Sequence, residues 1–385
     1  MPILSLIIPT HERFRYAKGT VEAILTMGDD IELVVSDTSA TNPWNAISHP
    51  RLKVVRPAPG ISVVDNFNVA LSHATGDYVC FIGDDDLIAP DLVDIARQAQ
   101  QQSVEAVRFT FPIVFYWPDY LHRSNPEAYS GTVWVSDYSG RVRELDTHAA
   151  LREAADKLGH GVFDMPRAYC GIVARTLIER ILTQHGALFG GVSPDIYSAA
   201  LIATHARKTL NIDFPAVVLG ASGASTAGQS AAGQHVGGLR DNAHIRPFHD
   251  LVWHPLVPEF YSVPTVWSYS LVRALEQITL TPPVQPNWGR LYAQCLLYHR
   301  SYWRFTLRAM RNFIRERSAI ELAATLIAGS VAEIGWALGR VHRRVSVRFA
   351  VTKDERIAGV QGSASAATIV TRTIAAGPKP DMPVA

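Results

Sequence analysis

Cysteine is scarce in this chain. Cys80, Cys170 and Cys295 are odd in number and far apart, which excludes a disulfide framework and the paired spacing of a zinc site. A reducing, cytoplasmic setting is the expectation. No leader is expected either, because Met1 to Pro9 runs straight into a strand-like stretch with no basic region ahead of it. No Gly-x-Gly-x-x-Gly follows that stretch, which sets aside a nicotinamide-dependent dehydrogenase. Net charge is small, +1 over 385 residues, and no nucleic-acid partner is expected. The small total hides an asymmetry. Residues 1–100 hold 13 Asp plus Glu against 7 Lys plus Arg, whereas residues 290–350 hold 11 Arg against three Glu. The two ends face different partners.

What is present is enough apolar residue, 48%, to bury a core of about two or three domains. Ile3 to Ile8 is an apolar run closed by Pro9-Thr10, as in a buried first strand. Ala17, Val21, Ile24 and Leu25 then recur at helical spacing within 16–27. Further strands are read at 31–35, 52–55 and 78–82, with a helix at 65–73. Such alternation implies a mostly parallel sheet flanked by helices, with ligands outside the carboxyl ends of its strands. Ser36-Asp37-Thr38-Ser39 and Gly83-Asp84-Asp85-Asp86 fall at those ends.

Three adjacent carboxylates repel one another unless a cation or hydrogen-bond donors neutralise them. Mg²⁺ or Mn²⁺ is normally held by one or two carboxylates and by oxygens of a diphosphate, so a phosphorylated ligand is one reading of Asp84, Asp85 and Asp86. A solvated acidic turn capping the helix at Pro90-Asp91 is the other. Further on, a helix is read to Gln101, a long strand at 106–116, loop or hairpin at 118–139, and a helix at 145–158. A strand at 169–175, a helix at 177–184 and a strand at 216–220 follow. Gly190 to Asp195 leads into Ile196 to Leu201, which places Asp195 in the first turn of a helix.

Taken together, Ser5-Leu6-Ile7-Ile8-Pro9-Thr10, Glu32 to Ser39, Asn68-Val69-Ala70 before Gly76-Asp77-Tyr78, and Gly83-Asp84-Asp85-Asp86 resemble the family 2 glycosyltransferases. The match covers about residues 3–105 and weakens towards 220. It implies an α/β fold of the glycosyltransferase A type with a C-terminal helical region, and an inverting, metal-dependent transfer from a nucleotide sugar, a UDP-sugar first. The acceptor would be a hydroxyl on a glycan or lipid in cell-surface glycan synthesis. On that resemblance, Pro9, Thr10, Asp37 and Asp84 bind nucleotide, Asp84, Asp85 and Asp86 hold Mn²⁺ or Mg²⁺, and Asp195 is the catalytic base. Gly83 departs from the family, many of whose members carry an aspartate there. A nucleotidyltransferase would need a Gly-rich phosphate loop with a basic residue, which Pro9-Thr10-His11-Glu12 is not. A non-catalytic, nucleotide-binding scaffold is the alternative.

Residues 1–220 are accordingly expected to form the catalytic domain and 221–250 a flexible loop or lid rich in Gly, Ser and Ala. His235 within that loop is either a further metal ligand or one of 14 ordinary histidines. Residues 251–350 would be Pro- and aromatic-rich connections followed by basic amphipathic helices, and 351–385 a disordered tail. Arg300, Arg304, Arg308, Arg311 and Arg315 share one narrow helical face, either a solvated surface or a contact for the anionic inner face of a membrane. Ala319 to Leu338 approaches membrane-spanning length, but Glu321 and Glu333 interrupt it and a packed helix is expected.

Overall fold

The computed structural model describes residues 2–28, 30–122, 126–225, 228, 236–349 and 355–382. The chain begins with β1 (Leu4–Thr10), α1 (Phe14–Leu25), β2 (Ile31–Asp37), a 3-10 turn at Pro43–Ala46, β3 (Leu52–Val55), α2 (Val63–Ser72), β4 (Tyr78–Phe81), β5 (Leu87–Ile88) and α3 (Asp91–Gln101). Next come β6 (Ala106–Phe109), β7 (Ile113–Tyr116), α4 (Pro126–Tyr129), β8 (Thr132–Val135), β9 (Val142–Glu144), α5 (Thr147–Asp156), β10 (Gly171–Ala174), α6 (Arg175–His185), α7 (Pro194–His205), β11 (Thr209–Ile212) and β12 (Val217–Ala221). The last elements are α8 (Val263–Leu275), α9 (Trp288–Tyr298), α10 (Trp303–Glu316), α11 (Ala319–Phe349), β13 (Glu355–Ala358) and α12 (Ser363–Ala376).

One sheet has the order β3-β2-β1-β4-β10-β6-β11-β9. Its first four strands are parallel, paired Thr10 to Asp37 and Ile7 to Phe81. β10 enters antiparallel between β4 and β6. Strands β1, β2 and β4 are apolar on both faces because helices cover both, and all their residues but Pro9 are buried. The chain passes from β1 to β2 and β3 on one side and then to β4 on the other. The carboxyl ends of β1 and β4 therefore flank a crevice, the usual place for a ligand in such a sheet. A second sheet, β13-β8-β7-β12-β5, stands beside the first.

At the opposite edge a buried carboxylate ties the parallel strands together. Glu32 accepts from the Ser5 hydroxyl, from the Thr75 N–H and hydroxyl, from the Gly76 N–H at 3.1 Å and from Lys53 Nζ at 2.9 Å. Burial alone would raise its pKa, but these donors hold it down from 4.5 to about 2.

Several sequence expectations change. The long strand over 106–116 is two strands in different sheets, parted at Thr110-Phe111-Pro112, where proline removes a ladder donor. Residues 251–290 contain α8, opened by a reciprocal Ser262–Thr265 capping box, and are more than irregular connection. The cores do not part at residue 220. Leu151 of α5 and Ile196, Ala199 and Ala203 of α7 belong to a second core with α8, α9 and α10, while Leu201 and Ile202 on the other side of α7 face the first. The loop expected at 221–250 lies partly outside the described residues, but Leu239 and Ile245 within it are buried in the second core.

The described part of the expected disordered tail, residues 355–382, is folded. β13 pairs antiparallel with β8, and Ala366, Val370 and Ile374 of α12, four residues apart, pack into the first core near α1. Small polar residues on the outer face mask that row in the composition. The stretch Ala319–Arg340 of α11 is, by length and composition, able to cross a membrane, and only 17% of it is buried.

Two measurements follow from these contacts. Ile374→Ala is expected to cost about 2–5 kcal/mol in urea unfolding, as for other buried truncations, whereas a loose tail would leave the midpoint unchanged. Glu32 has a folded pKa below its unfolded one, so its stabilisation is full above about pH 4.5 and fades as pH falls towards 2. Glu32→Gln is expected to cost about 1–3 kcal/mol at neutral pH and progressively less as the medium is acidified through that window. A cost independent of pH would refute the assignment.

Candidate functional site

The β1 and β4 ends meet in a cluster of buried carboxylates. Asp84, Asp85 and Asp86 are 5%, 5% and 2% exposed, so none is a solvated turn residue. Their environments differ. Asp86 accepts from the Gly83 N–H and the Gly220 N–H, both at 2.7 Å, and lies 3.5 Å from Cys170 Sγ. It closes the turn after β4 against β12, with one backbone donor on each carboxylate oxygen. Asp85 accepts from the Ser222 N–H at 3.0 Å and its hydroxyl at 2.6 Å. Asp84 accepts from the Thr10 hydroxyl at 2.6 Å.

Arg13 completes the arrangement. Its guanidinium lies 2.8 Å from Asp84 Oδ1 and 2.9 Å from Asp85 Oδ2 and also donates to Ser222 Oγ at 2.9 Å. It reaches them because Glu12 turns the chain at the end of β1 with φ +53°, a left-handed conformation uncommon outside glycine. The Glu12 N–H bonds Ser39 Oγ at 2.6 Å, and its side chain accepts from the Ala40 N–H at 2.7 Å, so the turn is held from β2. Burial works against the Arg13 charge, but Asp84 and Asp85 raise its pKa. Burial pushes Asp84 up while Arg13 draws it down, and burial together with Asp85 pushes Asp86 up.

Gly83, the departure noted in the sequence, has a local reason. A Cβ there would stand 2.8 Å from the Tyr169 hydroxyl and 3.0 Å from Asp86 Oδ2, so Tyr169 occupies the space a larger residue would need. Burial and then the aspartates raise the Tyr169 pKa, which keeps its hydroxyl protonated.

The other expected site residues stand apart. Asp37 ends β2 fully buried, accepting from the N–H and hydroxyl of Ser39 and from Trp44 Nε1 at 2.8 Å, with Arg56 at 2.9 Å. These partners hold the 38–46 loop and Arg56 against the end of β2. Pro9 lies partly exposed beside Thr10, whose own hydroxyl is committed to Asp84. Asp195 opens α7. Burial raises its pKa, opposed by Arg167, the Ile196 N–H and the Ser193 hydroxyl. The segment entering α7 is fixed by Ser270 Oγ, which accepts from the N–H groups of Val192 and Ser193, and by His244, which donates to Val192 O at 2.6 Å.

In the segment 167–170, Arg167 opposes the effect of burial on Asp195, while Cys170 Sγ lies beside Asp86. The Arg167 Nε is buried without a hydrogen-bond partner. His235 lies outside the described residues. Sequence reasoning missed Arg13, Arg167, Tyr169 and Ser222; only the position of Arg13, directly after the β1 loop, was a signal. A cavity of about 460 Å³ behind α1, lined among others by Thr20, Leu87, Arg97 and Ala367, contains none of the expected site residues.

As a metal site the cluster has suitable chemistry, two adjacent carboxylates with hydroxyls of Thr10 and Ser222 beside them. The point between Asp84 and Asp85 is taken by Arg13. No group of three or more His, Cys, Asp or Glu is arranged to hold a metal ion among the described residues.

Residues 5–156 match the family model for glycosyl transferase family 2. The uncharacterized protein y4gI of Sinorhizobium fredii (strain NBRC 101917 / NGR234) is 33% identical over 129 residues, 31% of this chain and 14% of that protein, so the chain spans only a small part of that relative's length. Among solved structures, S. aureus TarS 1–349 in complex with UDP-GlcNAc aligns at 14% identity and TM-score 0.43 over 86% of this chain and 79% of that one. The mannosyltransferase PcManGT from Pyrobaculum calidifontis in complex with GDP-Man and Mn²⁺ aligns at 19% identity and TM-score 0.42 over 86% and 81%. Superpositions this loose leave the site to be read from the chain's own residues. Strand pattern and aspartate run agree with that match: residues 5–156 of this chain are similar to glycosyl transferase family 2.

Proposed function

We propose that the protein is an inverting glycosyltransferase that moves a sugar from a nucleotide-sugar donor to a hydroxyl acceptor. The observation that carries this reading is the buried Asp84–Asp85 pair, bridged by Arg13 at the crevice between β1 and β4. A cation-centred cluster at that position suits a diphosphate. The 38–46 loop held by Asp37 borders the same sheet edge, and a nucleoside placed along β1 and β2 would meet it.

In the reaction, the acceptor oxygen attacks the anomeric carbon, the new C–O bond forms as the bond to the diphosphate oxygen breaks, and the carbon inverts. Asp195 takes the acceptor's proton; burial makes its carboxylate more basic than a solvated one, as a general base requires. Arg13 offers N–H donors to the leaving nucleoside diphosphate. A divalent cation, when bound, would be held by Asp84 and Asp85 and would neutralise charge on that leaving group. Asp86 stays with its backbone donors throughout. The hydroxyl acceptor is read as part of a glycan or a lipid, and the donor as a UDP-sugar first.

Calorimetric titration with UDP, GDP, dTDP and CMP, with and without Mn²⁺, tests donor and metal together. One nucleotide is expected to bind, and Asp85→Asn is expected to weaken that binding at least about tenfold, the loss of one charge-assisted contact. Arg13→Gln is expected to raise Mn²⁺ affinity by removing the resident cation, while costing about 3–5 kcal/mol of stability without metal because two buried acids lose their partner. Binding of no nucleotide would sink the reading. Asp195→Asn should lower turnover about 10²–10⁴-fold and leave donor affinity within about twofold of wild type. Nucleotide binding with no transfer to any hydroxyl acceptor, in wild type and variant alike, would instead establish the scaffold alternative.

A further inference from the structure

We propose that the exposed face of α11 docks onto an anionic lipid surface. Ile320, Ile327, Val331, Ile334 and Leu338 are 84%, 68%, 66%, 52% and 64% exposed, and with exposed Ala324 they recur every three or four residues along one side of the helix. Ala323, Ala328 and Gly335 on the flanks are also exposed, so the bare apolar strip is broad and holds no charge between Glu321 and Arg340. A soluble monomer rarely leaves so continuous an apolar surface uncovered.

The opposite side of the helix is firmly attached. Gly329 of α11 crosses Gly289 of α9 so closely that a Cβ on Gly289 would stand 1.9 Å from Thr325 O, and one on Gly329 2.4 Å from Arg290 N. Glu333, fully buried, meets His160 Nε2 at 2.8 Å and Arg290 Nε at 3.4 Å. Trp336 packs on the His160 ring at 4.3 Å. A helix pinned by backbone contact and buried charge on one side offers lipid only its other side, so α11 lies along the surface instead of crossing it.

Charge selects the occupant. The 4-3-4-3-4 spacing of residues 320, 324, 327, 331, 334 and 338 would also suit a coiled coil with a second copy. Beyond Glu321 the flanking positions are Ala, Ser and Gly, though, where such a pair carries complementary charges. Residues 300–349 hold ten Arg against three Glu, and 334–349 hold four Arg and no acid, so parallel pairing of two copies sets basic ends against basic ends. An anionic bilayer complements both the apolar strip and the arginines. Exposed Trp303 and Ile314 of α10, beside Arg304, Arg308, Arg311 and Arg315, extend the same composition. The membrane contact expected of the Arg300–Arg315 helix thus centres on α11, and Arg300 itself lies before α10 in a separate 3-10 turn.

This inference does not depend on the transferase reading. Full-length protein is sedimented with vesicles of phosphatidylcholine alone and with vesicles containing about a third phosphatidylglycerol. The wild type is expected to bind the anionic vesicles at least tenfold better. Ile327→Ser/Val331→Ser/Ile334→Ser should lose that binding at least tenfold with an unchanged unfolding midpoint, since these side chains make few contacts within the protein. Arg340→Glu/Arg343→Glu/Arg344→Glu should abolish the preference for anionic lipid. Equal pelleting of the serine variant and wild type, or no pelleting of either, overturns the proposal. So does light scattering that finds a wild-type dimer, made monomeric by the serine substitutions, with no vesicle binding.

Discussion

Three consecutive carboxylates buried at one strand end constrain this molecule more than any other feature. Carboxylates out of water are tolerated only where donors or a cation meet them, and here each is met differently. Asp86 is met by backbone N–H groups from its own turn and from β12, Asp85 by Ser222 and Arg13, and Asp84 by Thr10 and Arg13. The end of β1, the left-handed turn at Glu12 and the residues after β12 must therefore stay in register with β4. One guanidinium balances only part of three acids. Burial first, and then the neighbouring aspartates, raise the Asp84 and Asp86 pKa values.

This view separates what the chain discloses from what it conceals. Strands β1, β2 and β4 were legible because a strand buried on both faces needs an uninterrupted apolar run, and the runs at Leu4, Ile31 and Tyr78 have no competing pattern. The acidic run after β4 was equally plain. Which donors each aspartate meets was not. Asp86 is defined by the N–H of Gly220, far away in sequence, and nothing in Asp-Asp-Asp marks the third from the second. Arg13 is a single arginine in a loop, given meaning only by the positive φ that precedes it. Asp37 sits at the expected strand end, where its lone pairs are engaged by Ser39, Trp44 and Arg56, partners that its position alone does not disclose.

The tail failed for another reason. Its composition is small and polar on average, and averages erase a row such as Ala366, Val370 and Ile374, where every fourth residue meets the core. The long strand expected over 106–116 erred in the opposite direction. Apolar content is continuous there, but Pro112 and the turn before it let the chain leave one sheet for the other.

Glu333 shows the same lesson at the level of one residue. Counted along the sequence it interrupts an apolar stretch and argues against a lipid neighbour; placed on the helix it points to His160 and Arg290 on the attached side. The apolar strip is then left intact by the very charge that seemed to break it. A buried acid held by two cation-capable groups is costly to separate, so Glu333 fixes the rotation of α11 about its own axis. That rotation determines which side chains face outward. The apolar exposure of α11 is in this sense a consequence of where the buried Glu333 is satisfied, much as the arrangement at the end of β4 follows from how Asp84, Asp85 and Asp86 are satisfied.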